Sequence, residues 1–118
     1  MDGNDDTSGH PDWIIPQRPE VRPTPPVPSY PSSHAANGAA AAELFKLYFG
    51  TDKKSFASES ISMPGVTRNY ESFSQLADEI SASRIYVGYN FGQSVLEGEK
   101  MGRQLAKFVF ENNLRERD

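Results

Sequence analysis

Residues Ser72 to Phe110 read SFSQLADEISASRIYVGYNFGQSVLEGEKMGRQLAKFVF, and this stretch decides the fold. Ser72 stands three residues before Gln75, the spacing of a capping box in which each side chain satisfies an otherwise orphaned amide at the start of a helix. Phe73, Leu76, Ala77, Ile80 and Val87 share one helical face, since residues three, four and seven apart lie on the same side of a helix. Arg84 falls on that same face. A guanidinium there must reach water or find an anion, because burying an unpaired charge is costly. Gly88 to Gly92 interrupts the helix. Ser94 and Glu97 repeat the box spacing. The third helix that follows is expected to carry Gly98, Met101, Gly102, Leu105, Phe108 and Val109 inward and Glu97, Lys100, Arg103, Gln104, Lys107 and Glu111 outward, before fraying at Asn112-Asn113.

Working towards the N-terminus, Thr51 to Tyr70 holds Lys53-Lys54, several serines and Pro64-Gly65 without a sustained period, and reads as a long loop. A first helix is expected from His34 to Phe49. It opens on serines that can cap orphaned amides and closes at Gly50. Its face of Ala36, Ala39 and Ala40, then Leu44, Leu47 and Tyr48, is small at the start and bulky at the end, so the first turns can approach another helix closely. Residues 1–30 are crowded with prolines, each lacking a backbone donor, and read as an extended lead-in with Trp13-Ile14-Ile15 as a possible anchor. Three capped, periodic segments with no alternating strand give an all-α class: a partial helical bundle over residues 31–114.

Composition limits the partners. The net charge is −4 with 24% charged residues of mixed sign, so no basic stripe suits a nucleic-acid backbone. There are no cysteines, which excludes disulfides and thiolate metal sites. Met1 to Asp6 is acidic, without the basic and apolar regions of a secretory signal. The longest apolar run, Ala39 to Phe49, is broken by Glu43 and Lys46, so no membrane span is expected and the chain reads as soluble.

Two constellations carry chemistry. Pro31-Ser32-Ser33-His34 opens a helix, where unpaired amides and the positive end of the macrodipole favour an anion and a histidine can exchange a proton with it; an ordinary serine cap beside a surface histidine is the other reading. Ser83-Arg84 is followed by Asn90 and, four residues on, Ser94. The planar fork of arginine suits a tetrahedral oxyanion, although Arg84 could equally pair with Asp78 or Glu79.

Together, Pro31-Ser32-Ser33-His34 and Ser83-Arg84-x5-Asn90-x3-Ser94 resemble the second and third signatures of the superfamily of vanadium-dependent haloperoxidases and type 2 phosphatidic acid phosphatases. The flanking Tyr30, Phe49-Gly50-Thr51-Asp52, Pro64-Gly65-Val66-Thr67-Arg68 and Leu96-Glu97 to Gly102-Arg103 are similar to haloperoxidase relatives, so the resemblance runs from about Pro25 to Leu114. It implies a helical bundle with a pocket for vanadate or phosphate, used for halide oxidation or phosphoester hydrolysis. In that pocket Arg84, Ser32 and Ser33 would hold oxyanion oxygens and His34 would be the catalytic acid/base. The chain departs from the pattern at four places, the mildest being Ser33 where the family usually has glycine. Asn90 stands where the family keeps the histidine that acts as nucleophile or binds vanadium, so no metal ligand is assigned there. Ser94 replaces the orienting aspartate, and the Lys-x6-Arg-Pro motif is missing, Arg18-Pro19 having Pro11 at the lysine position.

Three functional expectations follow. The first is an oxyanion-binding fragment of the family, catalytically impaired in isolation. The second is a working haloperoxidase or phosphatase completed by another chain or a longer product. The third is a helical interaction module that uses apolar faces exposed by a missing N-terminal half, or that self-associates.

Overall fold

A computed structural model describes residues 27–113. Trp13-Ile14-Ile15 and Arg18-Pro19 lie outside them. The described chain forms α1 (Ser33–Phe49), β1 (Phe56–Ser60), β2 (Met63–Tyr70), α2 (Phe73–Tyr86) and α3 (Gly92–Asn113). Three helices dominate, as the periodicity requires, with one small hairpin added.

The helix ends follow local chemistry. Ser32 is the N-cap of α1, its hydroxyl accepting from the Ala35 amide at 3.4 Å, and Gly50 ends the helix at φ 68°, a left-handed turn that favours a residue without Cβ. Ser72 caps α2 by accepting from the Gln75 amide at 3.0 Å. The return bond of Gln75 reaches the amide of Glu71 at 2.7 Å, one residue outside the expected box. Asp52 adds a clasp from the preceding loop: its carbonyl accepts from Phe73 N at 3.2 Å and its carboxylate from Ser74 N at 3.0 Å. In α3 the expected Ser94 cap is not used. The helix begins at Gly92, and Ser94 lies buried within the first turn.

α1 sits between the other two helices. Towards α3 its face is made of alanine. A Cβ on Gly98 would collide with the Ser32 carbonyl, and one on Gly102 would collide with the Ala36 carbonyl and lie 3.0 Å from Ala40 N. Gly98 therefore meets the start of α1 and Gly102 a point one turn later, so the two helices run the same way at backbone contact. The buried line of α3 is Ser94, Val95, Gly98, Gly102 and Ala106. Of the expected inward face Gly98 and Gly102 are buried, but Met101, Leu105 and Phe108 are 48%, 56% and 63% exposed, because contact this close leaves room only for small side chains. Tyr48 likewise points outward, at 69% exposure.

Towards α2 the chain packs by rings. Phe73 stacks with Phe45, Phe49 and Phe56 at centroid distances of 5.4, 5.8 and 5.5 Å. Phe56 in turn stacks on Tyr70 at 5.3 Å across the base of the hairpin. The expected long loop over Thr51 to Tyr70 is thus an ordered antiparallel hairpin, pairing Phe56 with Tyr70 and Glu59 with Thr67. Its strands are exposed beyond Tyr70, which explains the missing signal: no buried face imposes an apolar alternation. Arg68 and Tyr70 of β2 both bond the Glu79 carboxylate of α2, at 2.9 and 3.2 Å.

Candidate functional site

The two constellations, about fifty residues apart in sequence, meet where α1 and α3 begin and α2 ends. They border a cavity of about 570 Å³ lined by Val27, Pro28, Pro31, Ser33, His34, Arg84, Tyr89 and Asn90. Parallel packing of α1 and α3 through glycine brings the segment before α1 against the turn before α3. The Ser32 amide donates to the Ser94 carbonyl at 2.9 Å, tying the two helix starts together.

Arg84 ends α2. The chain then turns through Gly88 at φ 77°, with the amides of Tyr89 and Asn90 both donating to the Arg84 carbonyl, at 3.1 and 3.2 Å. The turn lays the Tyr89 ring 4.6 Å from the guanidinium carbon, a cation–π contact, and brings the Asn90 carboxamide to the guanidinium, whose Nε donates to Asn90 Oδ1 at 3.3 Å. Arg84 therefore pairs with neither Asp78 nor Glu79, and Glu79 is engaged by Arg68 instead. No described residue accepts from the terminal amino groups of Arg84.

Asn90 is a four-way junction. Its Oδ1 accepts from Ser32 Oγ at 3.2 Å as well as from Arg84, and its Nδ2 donates to the Ser29 carbonyl at 2.9 Å and to Ser29 Oγ at 3.4 Å. These contacts fix which way the amide faces, since the Ser29 carbonyl can only accept. Of the expected site residues, Ser33, His34, Arg84 and Asn90 line the cavity, with Ser33 and His34 exposed on the first turn of α1. Ser32 does not line it. It is 1% exposed, and its hydroxyl is committed to Asn90 and to the helix cap. Its place is behind the wall. Ser29, Tyr89 and the proline rim were missed in the sequence, because Ser29 reaches Asn90 only through a contact spanning 61 residues. Among the described residues no group of three or more His, Cys, Asp or Glu side chains gathers to hold a cation, and no helix is long and apolar enough to cross a membrane.

The family model of the VCPO second helical-bundle domain matches residues 1–117. The chain belongs to that family, within the vanadium haloperoxidases. Among solved structures, this second-bundle domain is similar to a bacterial vanadium-dependent iodoperoxidase at 35% identity and a TM-score of 0.70, over 84% of this chain and 23% of that one. The apo and holo forms of a bacterial vanadium-dependent chloroperoxidase share the fold, with TM-scores of 0.57 and 0.58, each at 20% identity and over 71% of this chain and 20% of theirs. The domain thus spans about a quarter of the iodoperoxidase and a fifth of the chloroperoxidase. No curated protein matches it in sequence.

Proposed function

We propose that this domain binds a tetrahedral oxyanion, phosphate or vanadate, in the cavity at the start of α1, and that it turns over poorly by itself. The observation that carries this reading is the convergence of the Arg84 guanidinium, the first turn of α1 and the His34 imidazole on one cavity. A guanidinium fork and helix-opening amides are fixed donors that match negative charge spread over oxygens. Arg84 would grip two oxygens. Ser33 and the opening amides of α1 would take a third, and His34 would exchange a proton with one of them.

The residues fit the oxygens of such an anion better than its central atom. The Asn90 amide nitrogen has its lone pair delocalised into the carbonyl and donates to Ser29, so it offers neither nucleophile nor metal ligand. The similar structures are named as vanadium-dependent iodoperoxidase and chloroperoxidase. Here vanadate, like phosphate, would be held by hydrogen bonds and charge alone. Calorimetric titration of the whole chain with phosphate and with vanadate tests this, using Arg84→Ala and Asn90→His as variants. Binding of both anions, lost in Arg84→Ala, with vanadate gaining over phosphate in Asn90→His, is the expected pattern. Wild-type protein that binds neither anion, or efficient halide oxidation by it, would contradict the reading.

The exposed stripe of Met101, Leu105 and Phe108 favours a second reading, in which the domain works docked against further helical polypeptide. Sedimentation tests it: association that rises with concentration and is lost in Leu105→Lys supports a docking face, whereas a monomer at all concentrations argues against self-association.

A further inference from the structure

We infer that Ser29 is the residue that positions Arg84, acting through the Asn90 amide. Ser29 sits in the segment before α1, half-buried, and it joins three separate groups. Its hydroxyl donates to Ser94 Oγ at 3.0 Å and accepts from Phe91 N at 3.3 Å and Asn90 Nδ2 at 3.4 Å. One donor and two acceptor positions are all that a hydroxyl has, so its capacity is full. Its carbonyl takes the shorter bond from Asn90 Nδ2, at 2.9 Å.

The consequence is carried by the other end of the amide. With Asn90 Nδ2 donating to two oxygens of Ser29, the carboxamide is held in one orientation, and Oδ1 is presented to Ser32 Oγ and Arg84 Nε together. Binding Nε fixes the plane of the guanidinium, and the Tyr89 ring supports its face. The terminal amino groups are then directed by a chain of contacts that begins at Ser29. Asparagine suits the central place because it offers two donors and two acceptors in one plane. An imidazole offers one of each when neutral, and a carboxylate would set an acceptor against the Ser29 carbonyl. At this position Asn90 therefore serves as a structural junction in its own right, and Ser29 is its anchor. The effect on ligand rests on the oxyanion reading above; the positioning of Arg84 does not.

The test is the Arg84 Nε–H resonance in nitrogen–proton spectra of the labelled 118-residue chain, followed beside a phosphate titration. Ser29→Ala is expected to move that resonance towards the position of a solvent-exposed arginine and to weaken phosphate by about tenfold, the scale of one hydrogen bond, while Ser29→Thr restores both. Should Ser29→Ala fail to fold, Ser94→Ala removes only the partner of the Ser29 hydroxyl and is expected to shift the resonance in the same direction by less. An Arg84 resonance unmoved in the variant that folds overturns the proposal. A resonance that moves in protein that binds no phosphate upholds the positioning and refutes the oxyanion reading instead.

Discussion

The two sides of α1 are held by opposite means. Towards α3 the buried side chains are small, and the helices meet backbone to backbone at Gly98 and Gly102. Towards α2 and the hairpin the contact is a stack of rings centred on Phe73. The ring side is stabilised through buried apolar area, which tolerates small shifts. The glycine side fixes position, and the polar junction of Ser29, Ser32, Asn90 and Ser94 lies at its end. A pocket built from hydrogen bonds near 3 Å needs the positional kind of support, because a shift of 1 Å breaks most of them.

Three substitutions separate the two sides. Gly102→Ala is expected to cost most, about 3 kcal/mol, since the added methyl meets backbone that cannot move aside. It should also abolish anion binding at temperatures where the protein remains folded, by prising α3 from the start of α1. Urea unfolding and phosphate calorimetry read the two effects separately. Phe73→Leu is expected to cost about 1.5 kcal/mol through lost area and a small cavity. Phosphate affinity should be unchanged in that variant, and a loss of binding there would mean that the two sides are coupled.

Glu79→Gln should act least, within about 1 kcal/mol, because its pairing with Arg68 is exposed. Its clearer effect is on Tyr70, whose phenol titrates above its ordinary range, first because burial disfavours the phenolate, then because Glu79 accepts its hydrogen bond and repels its charge, with Arg68 opposing. A folded-state value raised above the unfolded one means a contribution present below the unfolded value and lost as pH rises through the folded one. Wild-type stability should therefore fall on the alkaline side, above the ordinary tyrosine range, and Glu79→Gln should soften that fall. Tyrosinate absorbance during alkaline titration follows it.

Much of this architecture could be read from local chemistry. Ser72 before Gln75, Gly50 after Phe49 and the apolar period through Phe73 and Ala77 mark helices because caps and periodicity act within a few residues. The hairpin could not be read that way. Its strands bury almost nothing, and it is held by pairs such as Phe56 with Tyr70 and Arg68 with Glu79 whose partners are set by the fold. On α3 the period correctly marks Gly98 and Gly102 as inward, but not Met101, Leu105 and Phe108, because helices this close leave no room for bulk between them. At the site, Arg84 and His34 were visible as a motif. The engagement of Asn90 was not, since its partners Ser29 and Ser32 lie about sixty residues away.

In the proposed function an oxyanion binds at the glycine-packed side and is held by Arg84. The most direct measurement is a phosphate titration followed by residue-resolved spectra of the whole chain. Saturable shifts are expected at Ser33, His34, Tyr89 and the Arg84 side chain, with Phe45, Phe56 and Phe73 unmoved, and no shifts in Arg84→Ala. Shifts absent from the cavity residues, or retained in full without Arg84, would contradict the proposed function.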